Sequence, residues 1–164
     1  LKIWSCWWYY YTMSEKTILV SGAFNPLHFG HLLLFKAASK YGKVIVALNS
    51  DEWVMKNKGH LLFDFETRKS LLEECEYVSE VIPFDDSEGD AVYALFEVRP
   101  TYFGNGGSAT SLSLPKEEMQ VCGYLGIKPV FDLGDTSRDI DNGMLVAAQK
   151  SIIKHANKEL NKLI

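Results

Sequence analysis

Short, unbroken apolar runs along this chain alternate with longer stretches in which apolar positions recur at helical spacing. The runs at residues 17–20, 43–48, 77–83, 101–103 and 128–131 are rich in Val, Ile, Leu, Tyr and Phe, and they read as buried strands. Between them, residues 32–41, 64–75, 91–98 and 115–125 carry good helix formers. Gly42 is placed to stop the first helix, Leu71, Leu72 and Cys75 sit at core-facing spacing in the second, and Pro115 opens the fourth. A further amphipathic helix is predicted over residues 143–164, with Leu145, Ile152, Ile153, Leu160 and Leu163 available for sheet cover or a dimer contact. Strand and helix in strict alternation predict an α/β protein: a three-layer Rossmann-like fold with a five-stranded parallel sheet and helices on both faces.

Composition changes this picture little. The 164 residues are 47% hydrophobic and 23% charged, ordinary values for a globular chain of one domain. A net charge of -4 argues against general nucleic-acid binding, which needs clustered Lys and Arg. Cys6, Cys75 and Cys122 are odd in number and widely spaced, as expected of reduced thiols in the cytoplasm. Residues 1–12 differ from the rest, six of the twelve being Trp or Tyr. They are too few to span a bilayer and lack a signal-peptide cleavage site. The expected organisation is an aromatic extension over 1–12, inert or packed on a partner, and a single domain over 13–164, with no membrane association.

The stretch that carries chemistry is Gly22-Ala-Phe-Asn-Pro-Leu-His28-Phe-Gly-His31. It joins the first strand to the first helix. Backbone N–H groups and the positive end of a helix dipole there converge on one spot, as a phosphate requires. Two imidazoles, His28 and His31, are well suited to donate to charge that develops on a phosphoryl group. The same pair could be metal ligands, but no further ligand cluster lies nearby, so no protein-held metal is expected. Downstream, Asp51 follows the second strand as either a helix cap or a site residue. Lys56 and Lys58 lie in a polar stretch, and Gly104-Asn105-Gly106-Gly107 follows the fourth strand as a loop.

The motif resembles the H-x-G-H signature of the nucleotidyltransferase superfamily, and more closely its cytidylyltransferase-like branch. The likeness covers residues 17–140 and is most similar to glycerol-3-phosphate cytidylyltransferases and the nucleotidyltransferase half of heptose-phosphate enzymes. It implies His28, His31 and Lys58 as catalytic groups. Nucleotide contacts fall to Gly22, Ala23, Phe24, Asn25, Gly30, Gly104, Asn105, Gly106, Thr136 and Ser137. Asp51, Lys56 and Arg68 are implied to meet the acceptor or a phosphate. Two positions depart from the pattern. Ser108 stands where an acidic residue follows the glycine pair, and Asp135 replaces a hydroxyl in the second motif.

The implied reaction joins a nucleoside triphosphate, CTP or ATP, to a phosphorylated sugar or polyol and releases pyrophosphate. Mg²⁺ is expected to enter with the triphosphate, and a homodimer is the expected assembly. The alternatives are an adenylyltransferase acting on a vitamin or coenzyme precursor, and a nucleotide-binding module without catalysis.

Overall fold

A computed structural model describes residues 15–107 and 114–134. The extension over 1–12, the second motif with Thr136 and Ser137, the departures at Ser108 and Asp135, and the helix over 143–164 lie outside the described residues.

Five strands, β1 (Thr17–Gly22), β2 (Lys43–Leu48), β3 (Glu80–Pro83), β4 (Tyr102–Gly106) and β5 (Lys128–Leu133), form one parallel sheet in the order β3-β2-β1-β4-β5. The helices are α1 (Phe29–Ala38), α2 (Asp51–Lys58), α3 (Phe65–Glu73), α4 (Val92–Val98) and α5 (Lys116–Leu125). Successive residues of β1 serve opposite faces. Ile18 and Val20 join Val44, Val46 and Leu48 beneath Phe35, Ala38 and Leu72. Leu19 joins Ala47 and Phe103 against Ala94, Leu95 and Cys122 on the other side. A strand covered on both faces has to be apolar throughout, which is why β1 and β2 read as unbroken runs. The predicted three-layer fold is the observed one.

β1 and β4 are neighbours in the sheet although distant in the chain. Thr17 and Thr101, 84 residues apart, tie them with a reciprocal pair of bonds, each backbone N–H donating to the other's Oγ1 at 3.3 Å. The carboxyl ends of β1 and β4 therefore adjoin at the point where strand order reverses, the usual place for a ligand in an open α/β sheet.

Several boundaries differ from expectation. α1 begins at Phe29 and ends at Ala38, so Gly42 is not its stop signal. Gly42 instead passes so close to β1 that a Cβ there would collide with the Lys16 carbonyl oxygen. Of the three residues expected to face the core, Leu72 is buried and Cys75 packs against it part-buried, while Leu71 faces solvent. Residues 51–58, expected as a cap and a basic loop, form helix α2. The strand β4 runs on to Gly106, taking in most of the glycine cluster that was expected to be a loop. Among the described residues, no helix is long and apolar enough to cross a membrane.

Candidate active site

α1 starts directly from the motif, with His28 at its N-cap in extended conformation. His31 is the third residue of the helix. Its Nδ1 accepts the His28 backbone N–H at 3.3 Å, and the His28 side chain faces the His31 backbone in return. This is the reciprocal geometry of a capping box, with imidazoles in place of the usual Ser and Glu. The two rings stack at 3.7 Å between centroids. Because Nδ1 is an acceptor, the neutral His31 ring carries its proton on Nε2 and is a donor there. Burial, and then the neighbouring His28, lower the His31 pKa from 6.5 to about 3, so the ring stays neutral near pH 7. The first turn of α1 contains no acidic side chain.

The residues around the pair hold it in place. A Cβ at Gly30 would lie 3.0 Å from His28 Cε1, so glycine leaves the room this ring occupies. Phe24, at a φ of 45°, is buried with its ring edge-on to His31 at 4.9 Å and against Phe35 at 5.2 Å. Its side chain belongs to the core, which leaves its backbone as the part that could meet a nucleotide. A Cβ at Gly22 would approach the same ring at 3.0 Å. The amide of Asn25 is likewise committed within the chain. Its Nδ2 donates to the His60 carbonyl at 3.2 Å, while Oδ1 accepts the N–H groups of Leu62 and Phe63 at 2.9 and 3.3 Å. Asn25 thereby fastens the segment that follows Lys58 onto the motif loop.

Arg68 was expected to meet the acceptor or a phosphate; the structure places it inside the protein at 1% exposure. Its Nε donates to the Phe63 carbonyl at 3.1 Å and Nη1 to the Ala23 carbonyl at 2.7 Å. Nη2 donates to the Asn49 carbonyl at 3.0 Å and to Asp51 Oδ1 at 2.6 Å. The rigid fork of a guanidinium suits this cradle of oxygens, which takes four of its five N–H donors. Asp51 also accepts the Phe65 N–H at 3.1 Å, so it joins α2 to α3. It does not cap α2; that is done by Ser50, whose Oγ accepts the Trp53 N–H at 3.0 Å. Ala23 enters this arrangement only through its backbone carbonyl.

Lys56 and Lys58 are exposed in the last turn of α2, which ends at Gly59 in the left-handed conformation, φ 72°. Lys58 Nζ stands 6.0 Å from the centre of the Trp53 ring. His60 completes the turn, its Nδ1 bonded to the Lys58 carbonyl at 2.8 Å. In β4 the glycines admit neighbouring side chains. A Cβ at Gly104 would meet Leu133 and Ile18 at 2.8 and 2.9 Å, and one at Gly106 would meet Leu34 at 2.9 Å. Asn105 donates to the Phe103 carbonyl at 3.3 Å. All three positions lie in a strand rather than in the expected loop, and the two glycines leave room for neighbouring side chains.

Sequence reasoning missed the polar support beneath the site: buried Asn49 and Asp86, with Ser50 between them. Residues 84–90 hold four carboxylates, and nothing in their sequence singles out one of them. Among the described residues no group of three or more His, Cys, Asp or Glu is arranged to hold a metal ion. Cys75 and Cys122 are free thiols. Burial, and then Glu118, push the Cys122 thiol up to about 11, which makes it a poor nucleophile.

Comparison with known proteins bears on the fold and the family. Over 69 residues the chain is 36% identical to glycerol-3-phosphate cytidylyltransferase of Bacillus subtilis, covering 42% of this chain and 54% of that protein. Over 134 residues it is 30% identical to the bifunctional protein HldE of Koribacter versatilis, covering 79% of this chain and 27% of the relative. The chain thus spans about half the length of the cytidylyltransferases it matches and a smaller share of the bifunctional proteins. A solved structure, the lipopolysaccharide core biosynthesis protein from Thermoplasma volcanium, superposes with a TM-score of 0.60 at 27% identity, covering 74% of this chain and 98% of that one. The cytidylyltransferase-like family model matches residues 19–161, nearly the whole of the chain beyond its first strand residues, and the protein belongs to that family.

Proposed function

We propose that this protein is a nucleotidyltransferase that joins CTP or ATP to a phosphorylated sugar or polyol. An acceptor phosphate oxygen attacks the α-phosphorus in line; the bond from that phosphorus to the bridging oxygen breaks, and pyrophosphate leaves. The observation that carries the reading is the histidine pair at the start of α1, with His31 held neutral and its Nε2–H available as a donor. Charge grows on phosphate oxygens during such a transfer, and a preorganised donor needs no reorganisation to meet it. No covalent intermediate on the protein is required, so positioning and charge stabilisation supply the catalysis.

His28 and His31 would serve the α- and β-phosphates. Lys58 and Lys56, on the helix end beside the loop that Asn25 fastens, would reach the triphosphate or the acceptor phosphate as mobile point charges. Thr136 and Ser137 would hold the pyrophosphate end. Mg²⁺ fits this donor set as an ion carried by the triphosphate, since the described residues offer imidazoles and lysines rather than a cage of carboxylates. When bound, it would neutralise charge on the phosphate oxygens.

The experiment is pyrophosphate release with Mg²⁺, offering CTP and ATP separately against a panel of phosphorylated sugars and polyols, with His31→Ala as control. Release with one pairing, lost in the variant, fixes the reaction and both substrates. Silence across the panel, with nucleotide still raising Tm, would replace the reading with a binding module.

A further inference from the structure

We infer that Asp86 is a positioning residue for this site, setting the turn from which both the motif loop and the lysine-bearing helix are hung. The inference rests on the transferase reading above. Asp86 is buried, three residues beyond the end of β3, in the acidic segment 84–90. Its Oδ2 accepts the Ser50 backbone N–H at 2.7 Å and the Asn49 side-chain amide at 3.1 Å; Oδ1 accepts the Ser50 hydroxyl at 2.9 Å. Elsewhere in the segment Asp85 accepts the Ser87 N–H and Asp90 the Val92 N–H, both local bonds. Asp86 is the one that reaches the end of β2.

Two lines of contact leave that turn. Ser50 Oγ, besides donating to Asp86, accepts the Trp53 N–H, so the same hydroxyl fixes the start of α2, whose last turn carries Lys56 and Lys58. The Asn49 carbonyl accepts Arg68, which donates from the same guanidinium to the Ala23 carbonyl in the motif. The imidazoles and the lysines are therefore referred to one carboxylate through short hydrogen-bonded paths. Three donors converge on Asp86, and a carboxylate alone among side chains of this size accepts from all of them. Asparagine would keep the shape but put an N–H where one oxygen was, so that either an N–H donor loses its acceptor or the Ser50 hydroxyl must turn from donor to acceptor.

Asp86→Asn, Ser50→Ala and the double variant test this, by pyrophosphate release and by amide hydrogen exchange. Asp86→Asn is expected to lower kcat about 10- to 100-fold with the KM for the triphosphate changed less than threefold, because misplacement of catalytic groups costs rate on this scale. The double variant is expected to lose no more than Asp86→Asn, since both substitutions act through one turn. Exchange is expected to rise about tenfold or more in both 22–31 and 50–58 while α5 keeps its protection. Additive losses, or faster exchange confined to 84–90 or spread over the whole chain, would overturn the inference. If the unsubstituted protein releases no pyrophosphate, the transferase reading falls, and the exchange pattern alone decides whether Asp86 holds the turn.

Discussion

Two helices leave the carboxyl ends of adjacent central strands, and their N-termini are finished in opposite ways. α2 is closed by its own chain: Ser50 caps it, and Asp51 and Glu52 stand in its first turn. Carboxylates there already answer the positive end of the dipole. α1 has no acidic residue in its first turn and takes two imidazoles instead, one of them held neutral. Both ends follow parallel strands of the same length. The one with no carboxylate at its positive end is the one that bears the motif. On the proposed reading, a strand-turn-helix unit alone would not make a phosphate site; the absence of a carboxylate at the helix end would matter as much.

The comparison breaks most sharply at His31. Replacing it with Ala is expected to lower kcat by about 10²–10³, the usual cost of losing one preorganised donor, measured as pyrophosphate release under saturating substrates. An unchanged rate would remove the histidine from the chemistry. Next in size is Phe29→Glu, which gives α1 the acidic first turn of α2 at an exposed position. Triphosphate affinity should fall roughly tenfold, while thermal stability holds or rises slightly, by about 0.3–1 kcal/mol. Titration calorimetry and a melting curve on one sample separate the two effects. On the other helix, Ser50→Ala should cost about 1 kcal/mol of stability through the lost cap and leave triphosphate affinity within twofold.

The last effect shows itself only as pH falls below neutrality. His31 in the folded protein has its pKa lowered from 6.5 to about 3, so the unfolded chain binds the proton more readily. Its contribution to stability is whole above pH 6.5 and is lost as pH falls from there toward 3. His31→Gln should flatten that part of the stability profile, and an identical slope in the variant would assign it to other groups.

What was legible in the sequence follows from what local rules govern. β1 and β2 announce themselves because burial on both faces admits only apolar residues, and the histidine pair because no simpler reason explains its spacing. Arg68 could not be read, since the carbonyls of Ala23, Asn49 and Phe63 that cradle it come from three separate segments. α2 was hidden because a helix of eight residues with only Val54 buried has almost no apolar stripe to display. Phe24 looked like a motif residue and Gly104 like a loop; one is core and the other makes space for Ile18 and Leu133. For Arg68 and Gly104 contacts far along the chain decided the role.

The threonine pair that ties β1 to β4 also bears on how the protein is made. β1 is synthesised before the other strands of this sheet, yet it ends as the central strand, and the partner on one of its edges lies 84 residues further on. At ordinary elongation rates of 5–20 residues per second, that partner leaves the ribosome roughly 4 to 17 s later. During the interval a hydrophobic strand with an unpaired edge waits in the nascent chain, the situation in which chains associate wrongly. Thr17→Val and Thr101→Val would remove the clasp while keeping strand propensity, and the yield of soluble protein during synthesis, compared with refolding of the finished chain, would show how much it guards that edge.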